Sequence, residues 1–248
     1  MRLLITFTSL KECAYLSCYE KLRGFVYSLQ KDSLAFNRHD IAGYKLFTFS
    51  NIFPIGDLKT NDKRYFQISS PSADFIYYIR GRLSELQEQK KVLNIGEYQL
   101  MIDSIKNLSP KVTDNCQLIT GTPIVVRIPD GRYEEYGITS TRSYEYWRPE
   151  YDFEIFLKQL TDNLIKKYKQ FSGREQEVHS LFEQFEFKKS VSVPIVDDGK
   201  NISVIGTIWK FKFGHIGKEQ REILQLGLDA GFGEMNSSGF GFMNKVEG

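Results

Sequence analysis

The sequence predicts an α+β protein built from two tandem copies of one β-α-β-β-α-β unit. Short runs in which apolar residues alternate with polar ones indicate strands, and longer runs with apolar residues every three or four positions indicate helices. These runs follow the same order in both halves of the chain. Two such units account for 248 residues without long structureless loops. The order is that of the ferredoxin-like (RRM-like) fold.

The first copy is marked by two amphipathic helices. The first helix carries Leu22, Val26 and Leu29 along one stripe, and the second begins at Ser72, a residue type that caps helix N-termini. Gly, Asn and Asp residues within 54–62 are typical of a turn between the two middle strands. The predicted elements are a strand at 2–9, a helix at 14–32, strands at 45–53 and 64–69, a helix at 72–91 and a strand at 98–108.

The second copy repeats this order after a short connection. A turn at 197–201 joins its two middle strands, and its last helix ends near Gly231. The predicted elements are a strand at 116–128, a helix at 152–171, strands at 185–196 and 202–214, a helix at 218–231 and a strand within 238–246. We therefore expect an N-terminal domain at 1–112 and a C-terminal domain at 116–248.

Cysteine usage and hydropathy indicate a cytoplasmic protein. The cysteines are Cys13, Cys18 and Cys116, an odd number without zinc-site spacing, which fits free thiols in a reducing compartment. The first ten residues are too short a run for a signal sequence, and no apolar stretch approaches the roughly 18 residues that span a bilayer. We expect no membrane contact. The net charge of +2 means that any surface for nucleic acid must be a local one.

The chain ends in a glycine cluster with two G-F-G units, whose glycines are Gly231, Gly233, Gly239 and Gly241. Glycine permits positive φ and close approach of a phosphate or a second backbone. The spacing matches neither a dinucleotide-binding fingerprint nor a Walker loop. Two interpretations stay open: a loop whose amides line a groove for an RNA backbone, and a tight bend with its phenylalanines in the core.

Tyr27, His39 and Lys45 lie within nineteen residues of one another. RNA cleavage without a metal needs a base for the 2′-hydroxyl, an acid for the leaving 5′-oxygen and a cation for the charged transition state. Histidine serves as acid or base near neutral pH, lysine supplies the charge, and tyrosine donates a hydrogen bond. The alternative is that His39 is an exposed loop residue with unrelated neighbours.

A basic strand pair is the third candidate. Lys210 and Lys212 alternate with aromatic residues, and Lys188 and Lys189 lie on the preceding strand. This pattern predicts either a half-buried hairpin with a solvated face or a surface that follows phosphates.

The remaining histidines give no metal or catalytic pattern. His179, in a helical-looking segment, and His215, after a strand, are expected to be structural or surface residues, and Asp197 and Asp198 a turn. We predict neither a metal nor a cofactor.

Together these segments resemble the CRISPR-associated repeat-processing endoribonucleases of the repeat-associated mysterious protein superfamily. The resemblance covers nearly the whole chain, through "MRLLITF", "RGFVYSL", "GYKLFTFS", "LITGTPIVVR" and "GFGEMNSSGFGFMNKVEG". The last motif is the most specific, because a G-x-G-x5-G-x-G loop at the C-terminus is the hallmark of that superfamily. "KLFTFS", which begins six residues after a histidine, is the next.

The resemblance implies two ferredoxin-like domains and metal-independent cleavage of CRISPR repeat RNA that leaves a 2′,3′-cyclic phosphate. It implies Tyr27, His39 and Lys45 as catalytic residues, with Tyr19 and Tyr44 as alternatives for the tyrosine. The glycine loop is then expected to help form the RNA groove beside the first domain. The expected partner is precursor guide RNA, and a CRISPR interference complex and a second copy of the chain stay open as further partners.

Two other functions stay open at this point. Some members of the superfamily bind RNA without cutting it, so a non-catalytic RNA-binding subunit of an interference complex is the first alternative. A ferredoxin-like domain that binds a small molecule or a protein is the second, because fold alone does not fix function.

Overall fold

The computed structural model describes residues 1–14, 19–33, 35–36, 43–176, 178, 180–197 and 199–246. The chain divides into two compact units. The first comprises Met1–Pro110 and Ser237–Gly239, and the second comprises Lys111–Asn236 and Phe240–Gly248. Each unit has its own layer of helices packed on an antiparallel sheet.

The first unit has the predicted β-α-β-β-α-β order with one added strand. Its elements are β1 (Arg2–Ser9), α1 (Tyr19–Ser28), β2 (Thr48–Phe49), β3 (Lys63–Ser69), α2 (Ala73–Glu88), β4 (Leu93–Ile95) and β5 (Tyr98–Leu108). The sheet order is β2-β3-β1-β5-β4, with all pairs antiparallel. The two long central strands bury Leu3, Ile5 and Phe66 completely beneath the helices. This is the predicted ferredoxin-like arrangement.

Two strands of this unit differ from the prediction. The strand expected at 45–53 is only the two residues of β2, because Leu46 has a φ of 53°, in the left-handed region that no strand contains. The hairpin strand β4 was absent from the prediction, since three residues carry too short an alternation to read. The predicted cap of α2 is confirmed: the Ser72 Oγ accepts a hydrogen bond from the Phe75 N–H at 3.3 Å.

The second unit repeats the same order around an insertion. Its elements are β6 (Gln117–Thr120), β7 (Arg127–Pro129), α3 (Tyr133–Tyr136), β8 (Tyr144–Tyr146), α4 (Phe153–Ser172), β9 (Gln184–Asp197), β10 (Lys200–Lys212), α5 (Lys218–Ala230) and β11 (Met243–Val246). The four-stranded sheet has the order β11-β6-β10-β9, and β7 and β8 form a separate pair. Trp209 and Phe211 of β10 are buried under α4 and α5.

The insertion corrects the single strand predicted at 116–128. Strand β6 ends before Gly121, Ile124 then pairs with Thr207 of β10 as an isolated bridge, and extended pairing resumes with β8 in β7. A side chain at Gly121 has no room, because its Cβ would lie 2.9 Å from the Phe242 ring. The Gly/Pro interruption therefore ends one strand and starts another.

The long helix α4 has conventional ends. The Asp152 carboxylate accepts a hydrogen bond from the Glu154 N–H at 2.8 Å, and Gly173 closes the helix with a φ of 70°. The helical-looking segment that contains His179 has no helix at its described positions 174–176, 178 and 180–183, and His179 itself lies outside the described residues. Over the part of the chain that is described, no helix combines the length and apolarity needed to cross a membrane.

Candidate active site and glycine-rich loop

Tyr27 and Lys45 meet in the first unit, as their predicted shared role requires. Tyr27 lies in the last turn of α1, and Lys45 lies three residues before β2. The Lys45 Nζ donates a hydrogen bond to the Tyr27 hydroxyl at 3.0 Å and lies 5.2 Å from the centre of its ring. Both side chains are half-buried. A cation and a phenol are therefore held together where solvent still reaches them.

Buried neighbours fix the position of this pair. Phe47 is 1% exposed and packs its ring against the edge of Tyr27, with centroids 5.8 Å apart. The buried Ser70 donates its hydroxyl to the Leu46 carbonyl at 2.7 Å, which anchors the backbone next to Lys45. The left-handed turn at Leu46 and this hydrogen bond hold Lys45 and Phe47 in fixed directions.

The third predicted catalytic residue, His39, lies outside the described residues. Of the two alternative tyrosines, Tyr19 is 8% exposed and accepts a hydrogen bond from the Asn51 amide at 3.4 Å. Tyr44 directly precedes Lys45 in sequence and is half-buried. Of the three candidate tyrosines, Tyr27 is the one with a described hydrogen bond to Lys45. Within the described ranges, no group of three His, Cys, Asp or Glu side chains is arranged to hold a metal ion.

The glycine-rich loop, residues 231–241, uses left-handed backbone at all four glycines of the predicted motif. Their φ values are 95° at Gly231, 68° at Gly233, 92° at Gly239 and 67° at Gly241. Close packing forbids side chains as well: a Cβ at Gly241 would lie 1.9 Å from the Phe232 carbonyl oxygen, and one at Gly233 would lie 2.4 Å from the Val125 carbonyl oxygen. Only glycine satisfies both constraints at these positions.

The phenylalanines of the loop are core residues, since Phe232 and Phe240 are fully buried and Phe242 is 1% exposed. The interpretation as a tight bend therefore describes how the loop is packed. The interpretation as a wall of an RNA groove stays open, because close packing fixes the loop in one position. Gly239 belongs to the first unit and packs against Phe49 of that unit. A Cβ added at Gly239 would lie 2.6 Å from the Phe49 ring.

A buried lysine holds the loop of the second unit in place. Lys167 of α4 is 1% exposed, and its Nζ donates to the carbonyl oxygens of Gly231 at 2.8 Å and Gly233 at 2.5 Å and to the Asn236 Oδ1 at 2.6 Å. Asn236 in turn donates to the carbonyl oxygens of Phe232 and Phe240, both at 3.0 Å. Burial lowers the pKa of Lys167 to about 7, although the Glu234 carboxylate raises it.

Lys167 was not predicted to have a structural role, although its position in the sequence carries a signal. Lys167 follows Leu160 and Leu164 on the buried stripe of α4, three residues after Leu164. A lysine at such a position is expected inside only when it has several acceptors. Those acceptors come from residues more than sixty positions later in the chain, which no local pattern shows.

The four candidate lysines lie on the long hairpin of β9 and β10, and we call them the basic hairpin face. Lys210 stands across from Glu186, and the strand bulge between Ile208 and Trp209 lets Lys188 reach the same carboxylate. The hydrogen bond from Lys188 lowers the pKa of Glu186, and the charges of Lys188, Lys210 and Lys212 lower it further against the opposing effect of burial. Lys189 pairs with Ile208 and is exposed. Three lysines thus surround one carboxylate.

His215, expected at the surface, has an 87% exposed side chain, 3.6 Å from the Asp114 carboxylate.

The family model for the C-terminal part of the CRISPR-associated protein Cas6 matches residues 107–245. A CRISPR-associated endoribonuclease Cas6 of Methanocaldococcus jannaschii is 32% identical over 233 residues, 91% of each chain. One of Haloferax mediterranei is 31% identical over 258 residues, with 100% of this chain and 94% of the relative covered. A solved structure, described as CRISPR associated protein Cas6, superposes with a TM-score of 0.72 at 21% identity and covers 100% of this chain and 99% of its own.

Proposed function

We propose that this chain cuts the repeats of a CRISPR precursor transcript and so produces guide RNAs. It belongs to the family of CRISPR-associated endoribonucleases named Cas6. The proposed reaction needs no metal ion and leaves a 2′,3′-cyclic phosphate. The relatives are endoribonucleases by name, so a non-catalytic RNA-binding subunit is not the favoured function.

One observation in the first unit carries the proposal beyond family membership: the 3.0 Å hydrogen bond between Lys45 and Tyr27. An ammonium and a phenol this close contact the same phosphate or its neighbouring hydroxyl when RNA binds. A preorganised cation stabilises the negative charge that develops on the phosphate oxygens during the reaction. Solvent access to both side chains leaves room for that phosphate.

The reaction begins when the 2′-oxygen next to the cut phosphate attacks phosphorus. The 2′-proton passes to a base, a bond forms between the 2′-oxygen and phosphorus, and the bond from phosphorus to the 5′-oxygen breaks. The departing 5′-oxygen takes a proton from an acid. We assign His39 to one of these proton transfers, Lys45 to stabilising the negative charge on the phosphate oxygens and Tyr27 to positioning the nucleophile.

Binding of the RNA is assigned to two further regions of the second half of the chain. We propose that the glycine-rich loop, with Gly231, Gly233, Gly239 and Gly241, forms part of the groove that binds the RNA. We propose that the basic hairpin face, Lys188, Lys189, Lys210 and Lys212, contacts phosphates. The cluster of three lysines around Glu186 supports this second assignment, because it gives the strand pair a net positive charge.

The test is cleavage of the repeat RNA encoded beside this gene, in EDTA, followed on a denaturing gel. We expect a single cut per repeat and a product 3′ end that resists ligation until its cyclic phosphate has been opened and removed. The matched control is the same RNA with a 2′-deoxy nucleotide at the cut position, which we expect to bind and stay intact because it lacks the nucleophile.

Two outcomes contradict the proposal. Cleavage of the 2′-deoxy RNA shows that another nucleophile is used, and bound but intact natural RNA supports a binding subunit. Transfer of the product to an interference complex and dimerisation of the chain stay predictions.

A further inference from the structure

A cavity of about 520 Å³ lies in the second unit between β8 and the first residues of β10. Its lining includes Arg142, Tyr144, Glu145 and Tyr146 on one side and Ile202 on the other. The volume lies in the range of ordinary small-ligand sites, so it accommodates a nucleobase with its sugar. The cavity contains none of the residues assigned above to catalysis or RNA binding.

The aromatic side chains of this cavity share one face of the β7–β8 pair. Tyr144 and Tyr146 are two residues apart on β8 and therefore point to the same side, and Arg127 pairs directly with Tyr146 across the strands. The two rings meet edge to face with centroids 5.4 Å apart. The Arg127 guanidinium lies 4.9 Å from the Tyr144 ring centre. Both tyrosines are half-buried, so part of each ring reaches solvent.

Salt bridges hold this aromatic face rigid. Arg127 donates its Nε to the Glu234 carboxylate at 2.6 Å, and its backbone N–H donates to the same carboxylate at 3.0 Å. Since Glu234 belongs to the glycine-rich loop, the aromatic face and that loop are fixed to each other within one unit.

The polar side chain that suits the phosphate of a nucleotide is Arg142. It is 71% exposed and 3.6 Å from Glu145, a weak surface pair that leaves its guanidinium available for a phosphate. Glu145 pairs across the strands with the buried Ile128 and accepts a hydrogen bond from the Ser140 hydroxyl at 2.7 Å, so its side chain lies on the opposite face of β8 from the two tyrosines.

We propose that this cavity binds one unpaired nucleotide of the RNA, with its base stacked on Tyr144 or Tyr146 and its phosphate at Arg142. The inference rests on the proposed function, because it concerns the same RNA. Stacking on aromatic rings tolerates any base, so the site is expected to have little preference among the bases.

The experiment measures affinity for the uncleavable 2′-deoxy repeat RNA by fluorescence anisotropy. Tyr144→Ala is expected to weaken binding roughly 5- to 100-fold, the range for losing one stacked base, whereas Tyr144→Phe keeps the ring and most of the affinity. The matched control is Tyr77→Ala, which removes a 56% exposed tyrosine from α2 in the other unit. Thermal unfolding of each variant shows that the fold is retained.

Salt dependence separates the two kinds of contact. Tyr144→Ala is expected to leave the slope of log affinity against log salt unchanged, because a stacked base releases no counterion. Arg142→Ala is expected to reduce that slope by about one. Near-ultraviolet crosslinking of RNA that carries 4-thiouridine is expected to label the peptide that contains residues 142–146.

The outcomes distinguish the two proposals. Wild-type affinity in Tyr144→Ala together with no crosslink at 142–146 overturns the nucleotide site and leaves the proposed function in place. Failure of the wild-type protein to bind or cut the repeat RNA overturns both.

Discussion

Tyr27 and Lys45 are half-buried and joined by one hydrogen bond, whereas the four glycines of the glycine-rich loop are buried, and Lys167 and Asn236 hydrogen-bond to the part of the loop that belongs to the second unit. The first region keeps reactive groups in reach of a substrate. The contacts of the glycine-rich loop fix the course of the loop's own backbone. Substitutions in the first region should therefore change the rate of cleavage with little effect on stability, and those in the second should act on stability first.

His39→Ala should give the largest effect of any single substitution. Loss of a general acid or base lowers the rate constant for cleavage by roughly 10²–10⁴-fold, while RNA affinity stays within about threefold of wild type. Single-turnover cleavage and anisotropy measure the two quantities separately. A variant that cuts at the wild-type rate would show that His39 is not the proton-transfer group.

Lys45→Met should lower the rate of cleavage by roughly 10²–10³-fold, because it removes a preorganised cation while keeping the length of the side chain. Tyr27→Phe keeps the ring packed on Phe47 and removes the hydroxyl that Lys45 contacts. Since the two groups touch, the double variant should lose less than the product of the single losses. Fully independent effects in this cycle would argue against a shared role. Lys91→Met, at an exposed position in the other half of the same unit, is the control.

Gly241→Ala should act in the opposite manner and destabilise the protein by about 2–5 kcal/mol. The cause is a φ of 67° together with a Cβ that would lie 1.9 Å from the Phe232 carbonyl oxygen. The control is Gly81→Ala in α2, where nothing lies within 4 Å of the added Cβ. There the substitution should stabilise by about 0.5–1 kcal/mol. Urea unfolding measures both, and equal effects at the two glycines would contradict the assigned strain.

Lys167 should give the loop a pH-dependent contribution to stability. Burial lowers its pKa from 10.5 in the unfolded chain to about 7 in the folded protein, so the unfolded chain binds more protons between these values. The free energy of unfolding should therefore rise as the pH rises from about 7 toward 10.5. Lys167→Met lacks this proton and leaves three oxygens without their donor, so it should be less stable and show a smaller rise. Parallel curves for the two proteins, from urea unfolding at pH 7 to 9.5, would refute the lowered pKa.

Features that depend on neighbouring residues could be predicted from the sequence, whereas features that depend on residues distant in the sequence could not. The strands β1, β3 and β5 and the helices α2 and α4 were predicted within a few residues, because alternation and helical stripes are local. Lys167 and the cavity beside β8 were not, because each depends on residues that meet only after folding.

The candidate site shows the same division. The residue types of Tyr27 and Lys45 and a known family motif predicted a site, but their hydrogen bond joins residues 18 positions apart, which no local pattern shows. For the glycine-rich loop, the sequence indicated positive φ or a close approach and left open which group approaches. In the structure that group is a carbonyl oxygen at both Gly233 and Gly241. The domain limits at 1–112 and 116–248 stay a prediction.

The smallest effect should come from the basic hairpin face, where each contact is a solvated charge. Lys210→Ala combined with Lys212→Ala should weaken RNA binding by roughly ten- to thirtyfold at low salt, and reduce the slope of log affinity against log salt by about two. Cleavage at saturating protein should stay unchanged, because neither lysine is assigned to the reaction. Lys91→Ala serves as the control for loss of an exposed lysine. An unchanged slope in the double variant would move the phosphate contacts away from β10 and leave the catalytic assignment of the first unit intact.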